Sequence, residues 1–411
     1  MIKSVISVKL GNRRVFVRAG FDVPLKKGAG YRGQGMEWVV ADDSRIRDAL
    51  KTIHYLIDSD AKIILASHLG RPQGWDPDKS LWPVAEKLGE LLGMKVVKVL
   101  DRLPDYNVAH IYFLTSDITK KNYSELTHKM RSGDILFLEN LRFYPGEKNN
   151  DQEFVETLAS LADVYVDEAF SNAHRSDSSM AGLAKKLPAY AGVSLLKEIA
   201  SLNKILRNPQ KPFVLIIGGA KISGKVETIE FLGDKADHIL LGGKIGNTFL
   251  KVLGYDVGSS EVEDEKVAKD LLRNYKNKIY LPIDAVVAKS VDGQTRLAKI
   301  DKVLKSETIF DIGPETIRNF SSYINSAQTL VWNGPFGFFE NPKFAFGSKA
   351  IAQVFASVSK GKAFGVVGGG ETIEVVNQAK VGQFIDHVSM GGGAMLEFLA
   401  GKELPGIKAL S

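Results

Sequence analysis

Short apolar runs rich in β-formers recur along the chain: "RVFV", "KIILAS", "DILFLEN", "DVYVDEAF", "FVLIIGG", "HILLGG", "TLVWNG" and "AFGVVGGG". Most are separated by stretches of helical period, such as "SLWPVAEKLGELLG", "DQEFVETLASLA" and "GSKAIAQVFASV". Strands alternating with helices predict parallel sheets with helices on both faces, an α/β class. Ligands of such sheets sit beyond the carboxyl ends of the strands, so the residues after each run are the candidates for chemistry. At 411 residues the chain exceeds the roughly 250 to 300 residues that one core sustains, and two domains are expected.

The strand ends differ between the halves. The first half carries Arg18 in "FVRAGFDVP", His68 and Arg71 in "ASHLGRP", Arg142 in "LENLRFYPGE", and His174 with Arg175 in "VDEAFSNAHRS". Guanidinium forks bind carboxylate and phosphate bidentately, so several on one sheet edge suit a compact anion charged at both ends. Arg45 in "ADDSRIRDAL" could join them from a helix start, although an acidic start followed by Arg is equally the pattern of an ordinary surface helix. The second half carries glycines instead: Gly218 and Gly219, Gly242 and Gly243, Gly334, Gly368 to Gly370, and Gly391 to Gly393. These let backbone N–H groups and helix N-termini face phosphates. Between the halves, about Ala191 to Pro212, an amphipathic helix stopped by Asn208-Pro209 reads as the connector.

The remaining composition narrows the partners. A net charge of +6, spread along the chain without a basic tail, suits small anions and argues against nucleic acid. No apolar stretch of about 18 residues could cross a bilayer, and the N-terminal "MIKSVISVKLGNRRV" lacks the pattern of a secretory signal. Zero cysteines exclude disulfides, thiolate catalysis and cysteine-built zinc sites, which fits a cytoplasmic protein. The histidines show no metal-ligand spacing, and "GGKIGN" is only part of a dinucleotide fingerprint.

One stretch, "IIGGAKISGKVETI", imitates a P-loop. From Gly219 it reads G-x-x-x-x-G-K, but Val226 stands where a magnesium-binding Ser or Thr is required, and "HILLGG" lacks the acid of a Walker B strand. The alternative is that Lys221 and Lys225, four apart on one face of a helix start, grip successive phosphates.

Taken together, "VRAGFDVP", "DDSRIR", "ASHLGRP", "LENLRFYPGE", "VDEAFSNAHRS", "IIGGAKISGK", "LGGKIGNTFL", "LPIDAVVA", "DIGPETI", "VWNGPFGFFE", "VVGGGETI" and "SMGGGAMLEFLAGKELPG" resemble, in order and spacing, the phosphoglycerate kinase family. The resemblance implies two doubly wound, Rossmann-like parallel-sheet domains joined by a helix and hinge. On this chain they would be 1–190 for phosphoglycerate, with 394–411 returning to it, 191–212 as connector, and 213–393 for nucleotide. It implies phosphoryl transfer between 1,3-bisphosphoglycerate and ADP, with Mg2+ on the nucleotide, in a cytoplasmic monomer. Arg18, Asp22, Arg45, His68, Arg71, Arg142, His174 and Arg175 would hold phosphoglycerate. Gly218, Gly219, Lys221, Lys225, Gly242, Asn333, Pro335, Glu340, Gly369, Gly370, Glu371 and Thr372 would hold nucleotide, with Glu340 on the ribose and Glu371 near magnesium. Arg45, Lys221 and the backbone of Gly391, Gly392 and Gly393 would act on the transferring phosphoryl.

Several positions depart from the family pattern. Gly20 replaces an Asp and Asp22 an Asn, Gly224 an Asp, Glu371 an Asp, and Met390 a Thr. Asp22, two residues after Gly20 on an extended segment, is expected on the same face and so able to take over the lost carboxylate's hydrogen bond. The alternative reading is a catalytically weak relative that binds nucleotide or anion.

Overall fold

The structure is a computed structural model that describes residues 2–29 and 36–411. It divides into two compact units, Met1–Ile199 with Glu403–Ser411, and Ala200–Lys402. The first contains strands β1 (Arg14–Ala19), β2 (Leu25–Ala29), β3 (Met36–Val40), β4 (Lys62–Ala66), β5 (Val96–Val99), β6 (Ile111–Leu114), β7 (Ile135–Leu138), β8 (Val164–Glu168) and β9 (Ala189–Ala191). The second contains β10 (Phe213–Ile217), β11 (His238–Leu241), β12 (Ile279–Tyr280), β13 (Asp284–Ala288), β14 (Arg296–Lys299), β15 (Thr308–Ile312), β16 (Thr329–Asn333), β17 (Phe364–Gly368) and β18 (His387–Ser389).

All eight apolar runs are strands of two parallel sheets. Their residues are buried almost without alternation, as in β8, β10 and β16, because helices cover both faces. The first sheet has the order β5-β6-β7-β4-β1-β8-β9, and the second β12-β11-β10-β16-β17-β18. Numbered within its own sheet, the second order is 3-2-1-4-5-6, the dinucleotide-fold arrangement, and its direction reverses between β10 and β16. There Ile217 is in register with Asn333, so the loops after these strands open side by side. In the first sheet β1 pairs with both β4 and β8, and its chain direction reverses at β1.

Local chemistry sets the helix limits. The Asp151 carboxylate accepts from Phe154 N at the start of Gln152–Ser160, and Gly93, at φ 66°, stops Trp82–Leu92. The connector is the helix Val193–Arg207, and the division between the units falls within it. The segment 394–402, expected with the first domain, belongs to the second unit. The physical reason is that helix Gly393–Leu399 packs on helix Val226–Gly233, where Thr228 Oγ1 donates to Leu396 O at 3.0 Å. Only Glu403–Ser411 returns, and Gly406 N donates to Ala173 O at 2.8 Å beside His174 and Arg175.

The second unit also has a small antiparallel sheet, β14-β13-β15, with its own apolar cluster around Val287 and Ala298. One link to the main body is Asp284, whose carboxylate accepts from Glu315 N at 3.0 Å, Thr316 N at 2.8 Å and Thr316 Oγ1 at 2.7 Å. It thereby caps helix Pro314–Ser326 from the neighbouring strand. Among the described residues no helix is long and apolar enough to cross a membrane. Asp284→Ala should cost about 2 to 3 kcal/mol, the range for lost hydrogen bonds to a charged group, and expose the Glu315 and Thr316 amides to exchange. Unchanged protection of those two amides would remove the cap from the account.

Candidate active site

In the first unit the loops after β1, β4, β7 and β8 converge. Arg45, Arg142, Arg175 and Arg18 all lie close enough to His68 to act on it electrostatically, and Arg71 and Asp22 stand likewise by Arg175. Burial first, then those guanidinium charges, hold the His68 imidazole well below its ordinary value. These surroundings favour the neutral imidazole. Its Nδ1 faces Arg18 Nη2 at 2.9 Å, and because arginine can only donate, Nδ1 accepts and the proton sits on Nε2. That Nε2 is 3.8 Å from Asp22 Oδ2.

Asp22 is held in place by Gly70 N, which donates to its Oδ1 at 2.8 Å, and by Arg45 Nη1, which donates to its carbonyl at 2.8 Å. The same-face expectation for positions 20 and 22 is not met. A Cβ on Gly20 would meet Ser171 Oγ at 3.0 Å and Ala169 Cα at 3.7 Å, toward the loop after β8, whereas the Asp22 carboxylate turns to the loop after β4.

Arg142 is buried and donates through Nη2 to the buried Asp177 carboxylate at 2.7 Å. Its Nη1, and Nε of Arg175, are buried without a hydrogen-bond partner. Native structures leave few buried donors unpaired, so two guanidinium N–H groups without acceptors, in one basic cluster, mark a place for an anion. Arg18 is the exception among the predicted anion ligands. It is 0% exposed, and its three nitrogens bond to Ser179 Oγ, Ala19 O and His68 Nδ1. It lies beneath the cluster rather than on its surface, because β1 is a central strand with both faces covered.

In the second unit the crevice lies where topology puts it, beyond β10 and β16. A cleft of about 480 Å³ is lined by Gly219, Pro335, Glu340 and Glu371, all predicted, together with Phe310, Phe338, Ile309 and Val291. The apolar members had no distinct signal in the sequence, although Phe338 lies inside "VWNGPFGFFE". Lys225 lies below the paired loops, its Nζ donating to Gly218 O. Burial lowers its ammonium to about 8, with the Glu371 charge opposing the shift. Lys221 is exposed, and it precedes the helix, which begins only at Val226. The two lysines thus do not share a helical face: a turn closed by Lys225 N on Ile222 O separates them.

The glycines fall into two kinds. A Cβ on Gly218 would lie 2.2 Å from Pro335 O, and one on Gly242 would lie 2.3 Å from Phe336 Cδ1, so these two serve close approach of the protein's own loops. At Gly370 and Gly393 a Cβ would meet nothing within 4 Å, and these open the helices Gly370–Gln378 and Gly393–Leu399. Gly392, beside them, has φ 55° and ψ −120°, a conformation for glycine alone. Gly391 N is taken by Ser389 Oγ at 3.2 Å. Gly369, at φ 93°, faces Asn333. Two predicted nucleotide ligands are engaged internally: Asn333 Nδ2 donates to Gly368 O at 2.8 Å, and Thr372 Oγ1 accepts from Gly334 N at 2.6 Å. They tie the loop after β16 to the loop after β17.

Comparison with known proteins identifies the family. A family model described as phosphoglycerate kinase matches residues 5–402. The chain belongs to the phosphoglycerate kinase family. It is 43% identical to the phosphoglycerate kinase of Dictyoglomus turgidum over 408 residues, 98% of this chain and 96% of that one. Among solved structures it resembles the phosphoglycerate kinase of Coxiella burnetii, with a TM-score of 0.82 and 36% identity, covering 100% of this chain and 99% of that one. It resembles that of Pyrococcus horikoshii OT3 with a TM-score of 0.82 and 28% identity, covering 100% and 98%.

The two kinds of glycine separate experimentally. Gly218→Ala should lower the melting temperature, because the added methyl meets backbone of Gly334 and Pro335. Gly370→Ala should leave the melting temperature unchanged and weaken nucleotide binding, since only a ligand would fill that space. Calorimetric unfolding with titration of ADP checks both, and equal behaviour of the two variants would contradict the division.

Proposed function

We propose a division of labour between the two units for the family's reaction, the reversible transfer of a phosphoryl group between 1,3-bisphosphoglycerate and ADP to give 3-phosphoglycerate and ATP. The observation that carries it is the pair of unpartnered buried guanidinium N–H groups, on Arg142 and Arg175, beside a neutral histidine. Together with Arg45, Arg71 and His174 they suit an acceptor with a phosphate at one end and a carboxylate at the other. The first unit is accordingly the phosphoglycerate unit, and the second the nucleotide unit.

In the nucleotide unit the base and ribose take the cleft between Phe310, Phe338 and Glu340, and the phosphates run toward Lys225 and the open helix starts at Gly370 and Gly393. Among the described residues no cluster of three acidic or histidine side chains could hold a metal on its own. The residues present fit magnesium bound through phosphate oxygens and one carboxylate, Glu371, which faces Gly219 across the crevice. When bound there the ion would neutralise phosphate charge.

The reaction needs little proton chemistry. A diphosphate oxygen attacks in one direction and an ionised carboxylate in the other, so positioning and charge neutralisation dominate. Neutral His68 agrees with that, since it offers an N–H donor and no basic nitrogen to the ligand. Arg45, Lys221 and the backbone N–H groups of Gly392 and Gly393 are assigned to the phosphoryl oxygens. Ligands on separate units require the connector Val193–Arg207 to act as a hinge that brings them together. The enzyme is proposed to work as a cytoplasmic monomer.

A coupled assay of purified protein with 3-phosphoglycerate and MgATP tests the activity. Nucleotide binding without turnover would leave only the weak-relative reading. Lys221→Ala should lower kcat by on the order of 10² with little change in nucleotide KM, while Lys225→Ala should mainly raise that KM. Because burial depresses Lys225 to about 8, its charge is present below that pH and lost above it. KM for ATP should therefore rise above about pH 8, and Lys225→Arg should remove the inflection. A pH-independent KM in both proteins would dismiss Lys225 as a phosphate ligand.

A further inference from the structure

Behind the basic cluster runs a chain of hydrogen bonds whose direction is fixed by chemistry. Arg18 Nε donates to Ser179 Oγ at 2.9 Å, so the Ser179 proton points elsewhere, to Glu147 Oε1 at 2.5 Å. Ser179 N donates to the other oxygen, Glu147 Oε2, at 3.0 Å. Both carboxyl oxygens thus accept in this arrangement. Glu147 is 0% exposed, and so are Ser179 and Arg18. Burial pushes the Glu147 carboxyl up, and the Arg18 charge is the largest influence drawing it back. At the other end of the guanidinium, Arg18 Nη2 donates to His68 Nδ1 at 2.9 Å. None of Glu147, Ser179 and Arg18 reaches solvent, so none can touch a ligand in this arrangement.

We propose that Glu147 and Ser179 are positioning residues for phosphoglycerate: acting through Arg18, they lock His68 in the tautomer that presents Nε2–H, beside Asp22, to the bound ligand. The inference rests on the reading of the basic cluster as the phosphoglycerate site. Without the Ser179 hydroxyl, Arg18 Nε loses its acceptor and the guanidinium is held only through Ala19 O and His68 itself, so the donor that keeps His68 Nδ1 unprotonated is less firmly fixed. The alternative tautomer would put a lone pair on Nε2, facing Asp22 and an anionic ligand. A hydrogen bond to ligand would become a repulsion.

Three measurements test this. Nitrogen-15 spectra of histidine-labelled wild type should show His68 as the neutral Nε2–H form from pH 6 to 8, with and without 3-phosphoglycerate; the Nδ1–H form overturns the proposal whatever the variants do. Ser179→Ala should raise KM for 3-phosphoglycerate by about tenfold or more, the equivalent of one charged hydrogen bond, and leave KM for ATP within about twofold. Ser179→Thr, which keeps the hydroxyl, should restore both KM and the tautomer signal, and Glu147→Gln should act in the direction of Ser179→Ala. Equal rises in both KM values, or an unaltered His68 spectrum in Ser179→Ala, would reduce these residues to packing. Arg142→Ala serves as the control: if it too leaves KM for 3-phosphoglycerate unchanged, the site reading fails, whereas a rise there with no effect at Ser179 defeats this inference alone.

Discussion

A parallel sheet with helices on both faces leaves its strand ends as the place for polar chemistry, and both units of this chain are arranged by that constraint. Strand interiors must be apolar, or as at Arg18 fully bonded internally, since water reaches neither face. The loop beyond each strand is then free to carry function. In the second unit the strand order reverses between β10 and β16, and Gly219, Pro335 and Glu371 line the crevice beyond these strands. In the first unit the loops after four adjacent strands, β7, β4, β1 and β8, supply Arg142, His68, Asp22 and Arg175.

Gathering guanidinium groups costs energy that the surrounding acids offset. A buried charge is tolerated when paired, and breaking such a pair by removing one partner costs about 3 to 5 kcal/mol. Arg142 has Asp177 directly, and Arg18 has Glu147 through Ser179. Asp167, fully buried near Arg18, is pushed up to about 6 by desolvation. These acids leave one buried N–H group of Arg142 and one of Arg175 unpaired. A site built this way is rigid and still has donors to satisfy with an anion, which is what in-line transfer from a bound acyl phosphate demands.

The sequence revealed the layout because parallel strands read as unbroken apolar runs, and all eight that stood out are strands. Shorter pieces escaped notice: β12 has two residues and β18 three, too few to show a pattern. The antiparallel sheet around β13 was also hidden, its exposed β14 reading as the polar "RLAK". Among site residues, those on loops were legible by type and position after a strand. Burial of Arg18 was not, since an arginine after apolar residues looks alike whether it ends a strand or fills its interior. The crowding at Gly218 and Gly242 was also invisible, because Pro335 and Phe336, which cause it, are distant in sequence. Glu147 and Ser179 lacked a signal for the same reason: what marks them is the guanidinium of Arg18, which only folding brings to them.

The resemblance of "GGAKISGK" to a P-loop dissolves on the same physical grounds. A P-loop turns its backbone N–H groups inward around phosphate and sets its lysine and hydroxyl on the first turn of the next helix. Here Gly219 N is already spent on Pro335 O at 2.6 Å, and the Lys225 ammonium is bonded to the carbonyl of Gly218. The turn from Ile222 to Lys225 then carries the chain away before the helix starts, and Ile222 N is drawn to Glu263 Oε2 at 3.2 Å. The Gly219 and Ile222 amides, which a P-loop would turn to phosphate, are thus both engaged within the protein. Open space lies instead at the glycine helix starts after β17 and β18, and the proposed function gives the phosphate chain lysines on one side and those helix ends on the other. In the function proposed above, the part of the hydroxyl absent at Val226 falls to a carboxylate across the crevice, Glu371, which faces Gly219.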